Sequence, residues 1–277
     1  MRLRSLLFVP GDRPERMQKA LTTGADAIIV DLEDAVAPMA KAAARAHCAA
    51  FLRSATRHVP LFVRVNALSS GLSEADVAAI LPASPDGLLL PKAAGAAAVR
   101  ELASRLPAGL RVLPIATETP ASVFGLGEYA AVAGQLLGLA WGVEDLSAAI
   151  GAQSAREADG AYTPPFEWLR SAVLFAAHAA GTAAIDTVYP ALRDAAGLAA
   201  YAGRAARDGF TGMLAIHPDQ VPVINAAFTP TAAQRAAAQR IVAAFAAQPG
   251  AGVLEVDGRM VDAPHLQAAR RLLDRAG

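Results

Sequence analysis

Eight short apolar runs, each ending in or beside a polar or charged residue, alternate along this chain with longer alanine-rich stretches. The runs fall at residues 5–9, 27–30, 61–65, 87–90, 111–116, 136–140, 183–186 and 213–216. A run such as Ala27-Ile28-Ile29-Val30 is apolar without alternation, which is the pattern of a parallel strand covered on both faces. The stretches between the runs carry apolar residues at three- and four-residue spacing and read as helices. Eight β-then-α units within 277 residues predict an α/β fold, a TIM (β/α)8 barrel over residues 1–228. The rival architecture is a doubly wound open sheet. Its dinucleotide-binding form needs a glycine-rich turn after the first strand. The turn here is Pro10-Gly11-Asp12-Arg13, and Gly125-Leu126-Gly127 lies in a helical stretch.

Two departures from the repeat stand out. About twenty residues separate Trp141-Gly142 from the helix opened by Pro164-Pro165, and a connection that long in a tight fold is expected to be functional or disordered. The chain also continues past the eighth strand. A closing helix is expected at 218–227 and a second at 231–247, started by Thr229-Pro230-Thr231. Strand alternation follows at 253–260 around Asp257-Gly258, and a last helix at 264–275. A barrel does not need residues 229–277, so this extension is expected to serve as a lid or an oligomer contact.

Composition narrows the function. The 25 basic and 25 acidic residues balance, which argues against nucleic-acid binding. Cys48 is the only cysteine, so neither an internal disulfide nor a thiolate metal cluster can form. That points to a cytoplasmic protein. No apolar run approaches the roughly 18 residues of a membrane span. The nearest, 172–185, carries His178, and the apolar start at 6–9 stops at Pro10-Gly11. There is no Gly-x-Ser-x-Gly elbow, Walker loop, His-Glu-x-x-His or cysteine–histidine pair, which removes most hydrolase, nucleotide-dependent and zinc chemistries.

The C-terminal tips of barrel strands form the active-site face. Those tips hold Asp31 and Glu33, Arg64 and Asn66, Lys92, Glu118, Glu144 and Asp145, Asp186, and His217. Carboxylates after consecutive strands, Thr117-Glu118 and Gly142-Val143-Glu144-Asp145, suit a hard cation such as Mg²⁺. Mg²⁺ is held by one or two carboxylates plus water and substrate oxygens. Arg64 at a barrel mouth suits bidentate capture of a carboxylate or enolate oxygen. Each charge taken alone also fits an ion pair between neighbouring strands. For Asp31 and Glu33 that is the favoured reading, with support of a neighbouring ligand as the alternative. Asp186 reads as a cap of the following turn, and His217 as a hydrogen-bonded structural residue.

The motifs together resemble one family. Arg4-Ser5-Leu6-Leu7-Phe8-Val9-Pro10-Gly11, Asp31-Leu32-Glu33-Asp34-Ala35-Val36, Arg64-Val65-Asn66, Pro91-Lys92, Glu118-Thr119, Gly142-Val143-Glu144-Asp145-Leu146 and Ile216-His217-Pro218-Asp219-Gln220 are similar to the citrate lyase β-subunit-like and malyl-CoA lyase group. That group belongs to the Mg²⁺-dependent aldolases built on a TIM barrel, and the match runs in order along the chain. The resemblance implies Mg²⁺, or Mn²⁺ in its place, on Glu118 and Asp145. It makes Arg64 the residue that binds substrate and stabilises the enolate. It places Pro10, Gly11 and Lys92 near the thioester substrate, with Glu118 also facing substrate and Asp31, Glu33 and Glu144 in support. In the tail, Gly258-Arg259-Met260-Val261-Asp262-Ala263-Pro264-His265 resembles a motif whose aspartate acts as acid/base in a neighbouring subunit's site, which implies a homo-oligomer, a trimer or hexamer. Asp262 also fits as the N-cap of the last helix, and the two roles are compatible. Met213 stands where many relatives carry lysine.

The implied reaction is cleavage of a β-hydroxyacyl-CoA into an acyl-CoA and an α-keto acid, or the reverse condensation. Two alternatives remain open on the sequence: malate-synthase- or thioesterase-like hydrolysis at the same site, and a non-catalytic CoA-binding scaffold.

Overall fold

The structure is a computed structural model describing residues 2–275. Each predicted apolar run becomes a strand: β1 (Ser5–Pro10), β2 (Ala27–Asp31), β3 (Leu61–Arg64), β4 (Gly87–Leu90), β5 (Val112–Pro114), β6 (Gly138–Ala140), β7 (Ala183–Asp186) and β8 (Gly212–Ala215). All pair in parallel in the order β5-β4-β3-β2-β1-β8-β7-β6. Between β5 and β6 the ladder thins to isolated parallel bridges, Val112 to Leu136 and Ile115 to Ala140. There Leu137 N–H donates to Val112 O at 2.8 Å and Ala116 N–H to Ala140 O at 2.9 Å. The sheet is thus a TIM barrel with one narrow seam.

Helices follow the strands: α1 (Pro14–Ala20), α2 (Lys41–Ser54), α3 (Ser73–Ile80), α4 (Ala96–Ala103), α5 (Pro120–Phe124), α6 (Glu144–Ala149), α7 (Pro164–Ala179), α8 (Ala195–Asp208) and α9 (Gln220–Ala227), of which α6 alone falls in a stretch read from the sequence as a loop. The long connection after β6 is not structureless, as its length alone suggested. It opens with α6 and is pinned further on by a bridge between Arg156 and Tyr162. Among the described residues no helix is long and apolar enough to cross a membrane.

The barrel interior follows from the period of two along a strand. Leu6, Ala27, Ile29, Phe62, Leu89, Leu113, Ala140, Ile185 and Leu214 form one buried cluster, with Phe8 packed against it. Each such large apolar side chain contributes about 1.5–3 kcal/mol when fully buried. The same alternation, carried one step further, turns Asp31 inward after Ile29 and Arg64 inward after Phe62. The register then sets Asp31 opposite Arg64.

The chain divides into two compact units, one over Leu3–Asn225 and one beginning at Ala226. The second unit holds α10 (Ala232–Ala247), an antiparallel hairpin of β9 (Val253–Val256) and β10 (Arg259–Asp262), and α11 (Ala263–Asp274). Thr231 caps α10 in a reciprocal box with Gln234. The hairpin turn is Asp257-Gly258 with φ of 52° and 73°, the left-handed pair that a two-residue turn of matching twist requires.

Candidate functional site

The inward ends of β1, β2, β3, β5, β6, β7 and β8 surround a cavity of about 420 Å³. Phe8, Pro10, Ile115, Trp141, Val188, Leu214 and Ile216 supply its apolar wall; Asp31, Asp34, Arg64, Glu118, Glu144 and Asp145 supply its charge. Six of the residues singled out from the sequence therefore border one space: Pro10, Asp31, Arg64, Glu118, Glu144 and Asp145.

Arg64 is held from three sides. Its Nε and Nη2 donate to the two oxygens of Asp31 at 2.7 and 2.6 Å. Its Nη1 lies 3.1 Å from Glu33 and 3.4 Å from Asp34, and its guanidinium sits 4.8 Å above the Phe8 ring. The bidentate edge that the sequence assigned to a substrate is taken by Asp31. That leaves Nη1, which is itself within ion-pair reach of Glu33 and Asp34. Burial works against the Arg64 charge, but Asp31, Glu33 and Asp34 more than offset it and raise its pKa. Asp31 also accepts from the Glu33 and Ala35 amides at 2.9 Å, so it is a structural anchor of the β2 loop.

Lys92 stands among the carboxylates behind the charged wall. Its φ of 52° is left-handed, a conformation that costs an ordinary residue on the order of 1 kcal/mol or more. The twist aims the Lys92 amide at Glu118 Oε2, 2.5 Å away, while Nζ reaches Glu33 at 2.8 Å and Asp145 at 3.2 Å. Burial opposes the ammonium, yet Glu33, Glu118 and Asp34 raise its pKa. Lys92 thus bridges the carboxylates rather than lining the cavity.

Glu118 is only 5% exposed, and its carboxyl is pushed up to about 7 by burial and by the neighbouring charges of Glu33 and Asp145. Glu33 is likewise raised by burial, against the pull of Arg64 and Lys92. Beside Glu118, the Thr117 hydroxyl accepts from the Gly142 amide at 3.1 Å and donates to its carbonyl at 2.9 Å. A Cβ on Gly142 would come within 3.2 Å of Glu118 Oε1, so a larger residue there would require this carboxylate to shift. Two residues later the loop turns into α6, which sets Glu144 on the exposed rim and Asp145 in the wall.

A second cavity of about 360 Å³ shares Phe8, Pro10 and Ile216 with the first, and adds Arg16, Lys19 and His217. Arg16 and Lys19 are one helical turn apart on α1 and face the same side. The sequence reading passed over them; the signal was there as two cations at i and i+3 directly after the Pro-Gly turn.

Other singled-out residues lie apart from the cavity. Gly11 is buried where a Cβ would approach Asp31 O to 2.8 Å, and its amide donates to that oxygen, so its smallness serves the β1–β2 packing. Asn66 binds Asp76 and Leu32 O and fixes the β3 loop. Met213 is fully buried and outside the cavity lining. Asp186 is not a turn cap: α8 is capped by Asp194, and Asp186 lies fully buried in a network with Trp141, Tyr201 and Arg170. In the second unit Asp262 caps α11, its Oδ1 2.5 Å from His265 Nδ1, and this contact holds its carboxyl below the usual range.

Among the described residues no three His, Cys, Asp or Glu side chains converge as a metal cage. Glu118 and Asp145 offer two carboxylates beside an open cavity, the donor set of Mg²⁺ rather than of zinc.

Known proteins match this chain in sequence and in fold. The family model described as HpcH/HpaI aldolase/citrate lyase matches residues 4–218. A citrate lyase subunit beta-like protein of Mycobacterium tuberculosis is 40% identical over 98% of this chain and 94% of its own length. A (3S)-malyl-CoA thioesterase of Cereibacter sphaeroides is 36% identical over 99% of this chain and 94% of its own. The crystal structure of CitE from M. tuberculosis with magnesium, acetoacetate and coenzyme A superposes with a TM-score of 0.85 at 38% identity, covering 99% of this chain and 98% of that one. A second CitE crystal structure from that organism, with magnesium and pyruvate, gives 0.78 at 35% identity over 98% and 97%. With its barrel, its ordered motifs and these relatives in agreement, the chain belongs to the HpcH/HpaI aldolase/citrate lyase family.

Proposed function

We propose that this protein is a Mg²⁺-dependent carbon–carbon lyase, or the reverse Claisen-type condensing enzyme, acting on a β-hydroxyacyl-CoA. The products of cleavage are an acyl-CoA and an α-keto acid. The observation that carries the reading is Glu118: a buried carboxyl pushed up to about 7 beside Asp145, on the wall of a cavity that also presents Arg64. Such a surplus of negative charge is relieved by a cation. Glu118 and Asp145 would hold Mg²⁺, with Mn²⁺ as a substitute. When bound, the ion supplies a Lewis acid and a template for carboxylate and carbonyl oxygens. CitE of M. tuberculosis, a relative in sequence and fold, has been crystallised with magnesium and acetoacetate or pyruvate.

The chain's own residues carry the remaining tasks. In cleavage the carbon–carbon bond pair moves to the thioester α-carbon, the β-hydroxyl loses its proton, and the α-carbon gains one. Protons therefore balance. Arg64, fixed by Asp31 through one edge of its fork, meets the developing enolate oxygen. Glu33 and Lys92 hold the carboxylates in register. Arg16 and Lys19 suit the phosphates of the CoA moiety, which would lie in the second cavity and lead its acyl end past Pro10 into the first. Asp262, coupled to His265, is proposed to return the proton to the α-carbon in a neighbouring subunit of a homo-oligomer.

A second reading, hydrolysis of the thioester, is favoured by the resemblance to the (3S)-malyl-CoA thioesterase. Mass spectrometry separates the two. Protein and Mg²⁺ are incubated with a panel of β-hydroxyacyl-CoA thioesters. A lyase yields a shortened acyl-CoA plus an α-keto acid, whereas a thioesterase yields free CoA plus the intact hydroxy acid. No Mg²⁺-dependent product from any thioester would reject both.

A further inference from the structure

One fully satisfied buried charge in the barrel belongs to a residue that the proposed mechanism does not use. Asp186, at the end of β7, is fully buried and outside the lining of the main cavity. Its two oxygens accept from Trp141 Nε1 at 2.6 Å, Tyr201 OH at 2.9 Å, Arg170 Nη2 at 2.8 Å and Nε at 3.1 Å, and the Thr187 amide at 2.8 Å. A buried ion pair gains little stability over packed apolar side chains of the same volume. What it does supply is direction, because each donor must arrive along a fixed line.

The donors lead to both ends of one loop. Trp141 is the first residue after β6, and Asp145 follows four residues later. At the far end, Tyr162 packs edge-on against Trp141 at 5.2 Å and its hydroxyl lies 3.4 Å from that of Tyr201. Arg156 stacks 4.1 Å above the Tyr162 ring and donates to its hydroxyl at 2.8 Å. We infer that Asp186 is a positioning residue: by gripping Trp141 and Tyr201 it fixes both ends of the 141–162 loop, and so the place of Asp145 in the wall. The inference rests on the reading of Asp145 as a cation ligand, and it adds a residue that touches neither cation nor substrate.

Two conservative variants cut the linkage without emptying the core. Trp141→Phe removes the indole donor and keeps an aromatic wall. Tyr201→Phe removes the phenol donor and keeps the ring. Asp26→Asn, which weakens the Arg4 ion pair before the start of β2, is the control for general loss of stability. Mg²⁺ binding to each purified protein is measured by calorimetry at pH 8, with the melting temperature measured alongside. Loss of an interaction supporting a ligand typically costs 10–100-fold in metal affinity. Trp141→Phe and Tyr201→Phe should each weaken Mg²⁺ binding by about 10-fold or more. Asp26→Asn should lower the melting temperature and leave the affinity unchanged. Retained affinity in either aromatic variant, or equal weakening in the control, overturns the positioning role. A wild-type protein that binds no Mg²⁺ overturns the cation reading itself, and this inference with it.

Discussion

Two buried carboxylate–arginine clusters occupy the same barrel, and they differ in how far their charges are matched. Around Asp186 the guanidinium of Arg170, an indole, a phenol and an amide satisfy one carboxylate, and Asp208 takes the remaining Arg170 nitrogen at 2.9 Å. Around Arg64 the balance is reversed. Asp31, Glu33, Asp34, Glu118 and Asp145 gather on two cations, Arg64 and Lys92. Glu33 Oε2 is buried without hydrogen-bond geometry to any partner, and burial pushes the Glu118 carboxyl up to about 7. A fully matched cluster fixes shape, whereas an anionic surplus beside a cavity is a place for a ligand.

The largest effects test the surplus. Glu118→Ala or Asp145→Ala should abolish turnover and weaken Mg²⁺ binding, since each removes an anionic oxygen from the donor set. Activity that survives excess chelator would break the contrast, because the mouth would then be another structural cluster.

Smaller losses test the roles around it. Arg64→Lys keeps charge but loses the planar fork that Asp31 grips, and kcat should fall by about two to three orders of magnitude. Asp262→Ala should cost about 10²–10⁴ in rate, the usual worth of a positioned acid or base, while metal binding and assembly persist. Mixed oligomers of the two variants should regain part of the activity if one subunit's tail serves another's barrel. No recovery after verified subunit exchange would confine Asp262 to its capping role.

The gentlest test compares like substitutions in the two clusters. The Glu118 carboxyl is raised in the folded chain from the ordinary 4.5 to about 7. Its contribution to stability is therefore present below the unfolded value and lost as pH rises through about 7. In chelator at pH 8, Glu118→Gln should stabilise the fold by up to about 3 kcal/mol, at about 1.4 kcal/mol per pKa unit. Asp186→Asn should do the opposite, losing about 3 kcal/mol as Arg170 is left with half its partner. Thermal melts of both variants read the sign directly. Melting shifts of the same sign would erase the distinction between surplus and satisfaction.

The strands were legible because parallel strands buried on both faces must be apolar throughout, as in Ala27-Ile28-Ile29-Val30. Polar residues at their ends then stood out as mouth residues. Asp31, Arg64, Glu118 and Asp145 were found in this way. Asp186 was misread because its partners, Trp141, Arg170 and Tyr201, lie 45, 16 and 15 positions away, and no local pattern marks such a meeting. The left-handed turn at Lys92 left no trace either, since lysine is not a residue that signals φ above zero. Gly11 was visible as a motif, but its task depends on how closely β1 and β2 approach, which only the packed strands reveal.

The seam in the barrel wall has one more consequence. Glu118 follows β5 and Asp145 follows β6, so the two proposed cation ligands stand on opposite banks of the gap, which two backbone bridges and the Thr117–Gly142 hydrogen bonds cross. An ion shared between them would work as a clasp. By linkage, whatever parts those banks would release the ion, and the bound ion would in turn keep them together. The thinnest joint of the cylinder would then be braced whenever the cation is in place.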